Sequence, residues 1–209
     1  MTPTFALDHL VIAAPTLARG VDHVRDRLGV TVPEGGRHPL MGTHNRLMRL
    51  GGDEFLEIIA VDPDAPPPAR PRWYALDRHE DRAPFLTTWV ARVGDLDAAL
   101  KLSPPGMGAP IRVSRGDLIW RIAAPEDGSM PFGGAFPTLL EWPDDQRPGA
   151  AMPDRGCALR KLTIEHPEAD AIRARLKGFL RDERIVFRAG ERVTLSAEID
   201  TPAGPRVLA

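Results

Sequence analysis

Along the chain, continuous apolar runs alternate with segments whose apolar residues recur every three or four positions, and this sets out a repeated order of elements. Leu7-Asp8-His9-Leu10-Val11-Ile12-Ala13 is apolar enough to be a buried strand. Pro15-Thr16 then opens a stretch in which Leu17, Val21, Val24 and Leu28 recur at helical spacing, and Gly29 stops it as a left-handed cap. Val30-Thr31-Val32 resumes β structure, and the run from Pro33 to Pro39 carries turn residues and reads as a loop. Two strands follow, Thr43 to Leu50 and Glu54 to Val61, joined by the Gly51-Gly52-Asp53 turn. The order is β-α-β-β-β.

The same order starts again after a Pro-rich connector. Pro63, Pro66, Pro67, Pro68 and Pro71 rule out regular hydrogen-bonded structure there, and a short helix over Trp73 to Asp81 follows. Strand Leu86 to Val93, helix Asp95 to Leu102, and strands Ile111 to Ser114, Leu118 to Ala123 and Thr138 to Trp142 repeat the first unit. Leu139-Leu140-Glu141-Trp142 echoes Phe55-Leu56-Glu57-Ile58. After a second Pro/Gly connector, strand Leu159 to Glu165, helix Pro167 to Leu180 and three short strands read as a third, shortened copy that extends the sheet or covers an open edge. The expected organisation is therefore α+β, with a βαβββ module at 1–62, a linker with a short helix at 63–84, a second βαβββ module at 85–145, and a partial module at 157–209.

Composition narrows the function classes. The chain has 209 residues, 43% hydrophobic, with net charge −2 spread over intermixed signs; no basic stripe offers itself to a phosphate backbone, so nucleic acid is excluded as a partner. No apolar run approaches a bilayer span and no leader pattern opens the chain, so the expectation is a cytoplasmic protein without a membrane partner. One cysteine, Cys157, excludes a disulfide framework and any CxxC metal site; it reads as a small residue at a strand start.

Chemistry is concentrated where polar groups interrupt apolar strands. His9 and Glu57 each sit in the middle of such a strand, and burying either without a partner costs several kcal/mol, so they require each other, a metal or a ligand. Strand alternation lets both point to one face. His38 sits on the loop and His44 at the start of the adjoining strand, within Gly42-Thr43-His44-Asn45, which is either a turn with local side-chain bonds or a source of an orienting Asn45 and an acid–base histidine. His44 and Asn45, being adjacent on a strand, do not both face inward. Arg121 is a cation inside an apolar strand, either a surface ion pair or a bidentate anchor for an anionic substrate group, and Trp120 and Trp142 are either core or an aromatic wall. Phe132-Gly133-Gly134-Ala135-Phe136 has the residue mix of a mobile lid or a plain loop.

Leu7-Asp8-His9-Leu10-Val11, Gly35-Gly36-Arg37-His38-Pro39, Gly42-Thr43-His44-Asn45-Arg46-Leu47 and Phe55-Leu56-Glu57-Ile58-Ile59, in this order and spacing, resemble the glyoxalase-like members of the vicinal oxygen chelate superfamily (glyoxalase/bleomycin resistance/dioxygenase). The resemblance implies paired βαβββ modules whose curved mixed sheets enclose a cup, where a divalent metal (Zn, Fe, Mn, Ni or Mg) often chelates vicinal oxygens of a small-molecule substrate. Carried over, the metal ligands are His9, Glu57 and Glu141, and Thr88 stands opposite His9 in the second module where a fourth ligand is expected. Thr is a poor ligand for zinc or iron, so this position departs from the pattern.

Three functions follow. The first is a metal-dependent lyase, isomerase or dioxygenase acting on a small carbonyl or vicinal-oxygen metabolite, with Glu141, His44 and Asn45 as catalytic groups and His38, Arg121, Thr88 and Trp120 lining the substrate site. The second is a metal-free binding protein of the bleomycin-resistance type. The third is an assembly module, a homodimer formed through the third copy.

Overall fold

A computed structural model describes residues 3–143 and 146–209. Residues 1–2 and 144–145, at the outer ends of the two expected modules, lie outside the described residues. The first module is β1 (Ala6–Ala13), α1 (Leu17–Leu28), β2 (Glu34–His38), β3 (Thr43–Arg49) and β4 (Phe55–Val61). The second is β5 (Phe85–Arg92), α2 (Leu96–Leu102), β6 (Ala109–Arg115), β7 (Leu118–Ala124) and β8 (Thr138–Glu141). A short α3 (Pro148–Ala151) leads to β9 (Ala158–His166), α4 (Ala169–Leu176), β10 (Ile185–Ala189), β11 (Thr194–Thr201) and β12 (Gly204–Leu208).

The helix ends follow local chemistry. Thr16 caps α1 by accepting from the Arg19 N–H at 3.3 Å, and Gly29 closes it at φ 71°, where any other residue would be strained. Asp95 caps α2 by accepting from the Ala98 N–H at 2.9 Å.

The two modules build one curved eight-stranded sheet in the order β2-β3-β4-β1-β5-β8-β7-β6, with the two outermost strands meeting where Gly36 abuts the Arg115 side chain. In each module the first strand runs parallel to the last, and β1 and β5 join the halves antiparallel at the centre. The pairs His9–Val90 and Val11–Thr88 are exchanged by the local two-fold axis of that ladder. This confirms Thr88 as the counterpart of His9.

Two corrections concern the strands. The Pro33–Pro39 stretch, expected as a loop, holds β2 instead, because Gly35 lets β2 lie against β3: a Cβ on Gly35 would fall 2.2 Å from the Asn45 carbonyl oxygen. The C-terminal unit neither extends the sheet nor caps its edge. It has the β-α-β-β-β element order but its own four-stranded sheet, ordered β10-β9-β11-β12, in which the first strand pairs parallel with the second.

Alternation then sorts the core into two. Outward side chains of the large sheet (Leu10, Ile12, Leu56, Ile58, Trp89, Leu139) pack with α1, α2 and the C-terminal sheet through Leu162, Ile164, Leu195 and Ile199. Inward side chains (Val11, Ala13, Ile59, Val90, Val113, Ile122, Leu140) line the cup, joined by Trp73, Tyr74 and Leu76 of the connector. The expected helix from Trp73 is a 3-10 turn, Trp73–Arg78, with Tyr74 at φ 58° and Ala75 at φ 53°. That left-handed step costs on the order of 1–3 kcal/mol per residue and is offset by the burial of both aromatics in the cup.

Candidate active site

His9, from the centre of β1, and Glu57, from β4, face each other inside the cup, as alternation requires: His9 Nε2 lies 3.4 Å from Glu57 Oε2. A register shift in β1 between Leu7 and His9 turns Asp8 toward the same side, so that consecutive side chains meet. His9 Nδ1–H donates to Asp8 Oδ1 at 2.7 Å, and the Trp142 indole N–H donates to Asp8 Oδ2 at 2.9 Å. Phe55 stacks on the imidazole with a centroid separation of 4.5 Å. Burial by itself would strip the proton from His9, but the hydrogen bonds and charges of Asp8 and Glu57 outweigh it and raise its pKa to about 9. Against its own burial, Glu57 is held well below the ordinary carboxylate range by the hydrogen bond and charge of His9, with His38 and Asn45 adding to this. The pair is an imidazolium and a carboxylate.

Asn45 ties this pair to the neighbouring strands. Its Nδ2–H donates to Glu57 Oε1 at 2.6 Å, and its Oδ1 accepts from the Gly36 N–H at 2.8 Å and from Arg115 Nη1 at 3.3 Å. His38 is buried beside it, 3.1 Å from Thr43 Oγ1 and 3.4 Å from Asn45 Nδ2. Burial drives the His38 pKa down to about 4, with the charges of Arg115, His9 and His44 pushing the same way against the pull of Glu57. Neutral His38 and cationic Arg115 thus stand beside the ion pair. Trp73, Tyr74, Trp120 and Trp142 face them across a cavity of about 30 Å³, room for about one water.

Of the residues singled out from sequence, His9, Glu57, His38, Asn45 and Trp120 converge here, and four do not. Glu141 sits on the outer face of β8, where Oε2 accepts from the Leu96 N–H at 2.7 Å and caps α2. Its expected match to Glu57 is three residues out of register: β4 pairs Glu57 with Val11, and in the second module the residue beside Val90 is Thr138. Arg121 also faces outward, bound to Asp97 at 2.6 Å and Glu141 at 3.3 Å, because Trp120 and Ile122 on the same strand take the inward positions. His44 points away from the cup toward Asp62, whose carboxylate is 4.0 Å from its Nδ1. Thr88 occupies the predicted register, but its hydroxyl donates to the Gly134 carbonyl at 3.0 Å. The Phe132–Phe136 stretch packs on the outer core, with Ala135 O accepting from the Trp89 indole, and does not cover the cup.

Sequence reasoning missed Arg115, Asp8, Trp73 and Tyr74. Arg115 was legible, since alternation from Val113 puts it on the inward face of β6. The other three depend on a bulge and on a left-handed turn that leave no periodic trace.

These residues do not fit the divalent metal that the resemblance implies. Of its described residues, the first module offers only two donors to a metal, His9 Nε2 and Glu57 Oε2, 3.4 Å apart. The equivalent positions in the second module are Thr88 and Thr138, and Glu141 is not available. Among the described residues, no group of three or more His, Cys, Asp or Glu side chains is arranged to hold a metal ion.

Paired βαβββ modules closing a cup with a polar cluster on the first and last strands define a protein of the vicinal oxygen chelate fold. The chain belongs to the glyoxalase-like domain family, whose sequence profile matches residues 7–180. Among solved structures, a hypothetical protein from Staphylococcus aureus is similar over 93% of this chain and 88% of its own, at 12% identity and TM-score 0.62. Methylmalonyl-CoA epimerase from Mycobacterium tuberculosis matches 70% of this chain and 91% of its own, at 20% identity and TM-score 0.44. No curated protein matches the chain. No helix among the described residues is long and apolar enough to cross a membrane.

Proposed function

We propose that the chain is an enzyme of the isomerase or lyase class that moves a proton on a small oxygenated metabolite held in the cup. The observation that carries this reading is the buried His9–Glu57 ion pair with Arg115 beside it, all three lining one cavity. The two cations supply, from the chain's own side chains, the positive charge that stabilises a developing enolate oxygen. In the step we infer, Glu57 takes the proton from the carbon next to a carbonyl while His9 Nε2–H donates its proton to the carbonyl oxygen. For a substrate with a hydroxyl on that carbon the result is an enediol; Glu57 returns its proton to the former carbonyl carbon while the other hydroxyl, becoming the new carbonyl, gives its proton to His9, so both groups end as they began and the product is an isomer. Asn45 orients Glu57, and Asp8 fixes the imidazole ring. A metabolite enters only when Trp73 and Tyr74 move aside, since the cavity is about 30 Å³.

A second reading, binding without turnover, is supported by the closed hydrogen-bond set around Glu57, whose two oxygens already face Asn45 and His9. Solvent-deuterium exchange followed by NMR over a panel of 2-oxo and 2-hydroxy aldehydes, ketones and acids separates the two. The enzyme reading expects exchange at the carbon beside the carbonyl, with Glu57→Gln losing on the order of 10²-fold or more and Arg115→Met raising KM for anionic substrates. Full exchange by Glu57→Gln overturns it, and saturable binding without exchange favours the second reading.

A further inference from the structure

On the far side of the 3-10 turn that closes the cup lies a larger groove, of about 480 Å³, between that turn, the start of β5, the Ser129–Gly133 loop and β11. This volume is in the range of small organic ligands, about 300–1,000 Å³. Its apolar surface comes from Phe85, Met130 and Val193, and its polar side carries Arg78, His79 and Arg82. The Arg82 guanidinium lies 3.6 Å from the centroid of the Phe85 ring and, among the described residues, has no carboxylate partner. Arg78 approaches Asp127 Oδ2 at 3.5 Å, but that pair is mostly exposed and screened. The His79 ring meets Phe85 edge-on at 5.1 Å. Its pKa is lowered, by burial first and then by the Arg82 charge, against a backbone hydrogen bond at Arg78. A cation resting on an aromatic ring beside an apolar slot, with its charge unanswered, matches a ligand that is anionic at one end and apolar at the other.

We propose that this groove is a second ligand site, distinct from the cup, for a small organic anion with an apolar body, such as an aryl-substituted short-chain carboxylate. Its carboxylate lies between Arg78 and Arg82, and its apolar part lies against Phe85, Met130 and Val193. The site shares a wall with the cup, because Ala75, which lines the groove, directly follows Trp73 and Tyr74.

Titration calorimetry with 4-phenylbutyrate and with its uncharged amide, on the full chain, tests this. The carboxylate is expected to bind at least about ten-fold more tightly than the amide. Arg82→Gln, an exposed substitution that leaves the fold intact, removes that difference without changing amide binding. Val193→Glu, which adds a negative charge at the groove, abolishes carboxylate binding. In ¹H–¹⁵N spectra the perturbed amides include Ser129, Gly133 and Val193, and Glu57→Gln, which alters only the cup, binds as wild type does. Equal affinity for carboxylate and amide, no binding at millimolar ligand, or shifts confined to the neighbours of His9 and Glu57 would each overturn the proposal.

Discussion

Removing the imidazole of His9 should flatten the alkaline side of the stability curve. In the unfolded chain this histidine titrates near 6.5, and in the folded chain at about 9. Between those values the folded state holds a proton that the unfolded state has released, so the stabilising contribution is complete below pH 6.5 and disappears as pH rises through 9. The slope approaches 1.4 kcal/mol per pH unit, and the whole loss is about 3 kcal/mol. The depressed pKa of Glu57 reports the same contact from the other partner and is not added to this figure. On the acid side the sign reverses. His38, held neutral down to about 4 by burial, is protonated in the unfolded chain first, so stability falls as pH drops from 6.5 toward 4. Wild type should therefore be most stable near pH 6.5. Urea unfolding at intervals of one pH unit from 4 to 10, on wild type and His9→Gln, measures both limbs. The variant is expected to be less stable at pH 6.5 and nearly pH-independent from 6.5 to 9, with its acid limb retained. A wild-type curve flat between 6.5 and 9, or an equal alkaline slope in the variant, would refute the charged His9–Glu57 pair and the mechanism built on it.

Two further substitutions probe what positions the site. Gly35→Ala puts a Cβ 2.2 Å from the Asn45 carbonyl and 2.5 Å from its Oδ1, so β2 must shift; melting curves should show a loss of about 1–3 kcal/mol, with exchange activity falling alongside as Asn45 leaves Glu57. Arg184→Met removes the cation shared by Glu54 at the first hairpin and Asp182 before β10. Because Arg184 is partly exposed the expected cost is only about 1 kcal/mol, read by denaturant midpoint, with protection of the β9–β12 amides in hydrogen exchange falling first.

The βαβββ order was legible because each module writes its period plainly: Leu17 to Leu28 at helical spacing, then hairpin strands broken by Gly51-Gly52. His9 and Glu57 were legible for the same reason, as polar residues in runs that must be buried. Glu141 misled because Leu139-Leu140-Glu141 copies the local pattern of Leu56-Glu57 while its ladder is offset, and only the pairing of Val90 with Thr138 reveals that. β2 was hidden by its glycines, which signal a loop in isolation but here permit close strand contact. The strand order of the C-terminal sheet depends on long-range pairing, which local periodicity does not encode.

The two-fold relation between β1 and β5 has a stereochemical consequence. Were both halves of the cup equipped alike, acid–base groups would stand on both sides of a bound ligand, and a proton could be delivered to either face of the same carbon. With His9 and Glu57 on one half and Thr88 and Thr138 on the other, the titratable pair stands on one side only. Divergence of the two halves thus makes the cup one-sided, and under the proposed proton transfer a prochiral metabolite would leave as a single enantiomer.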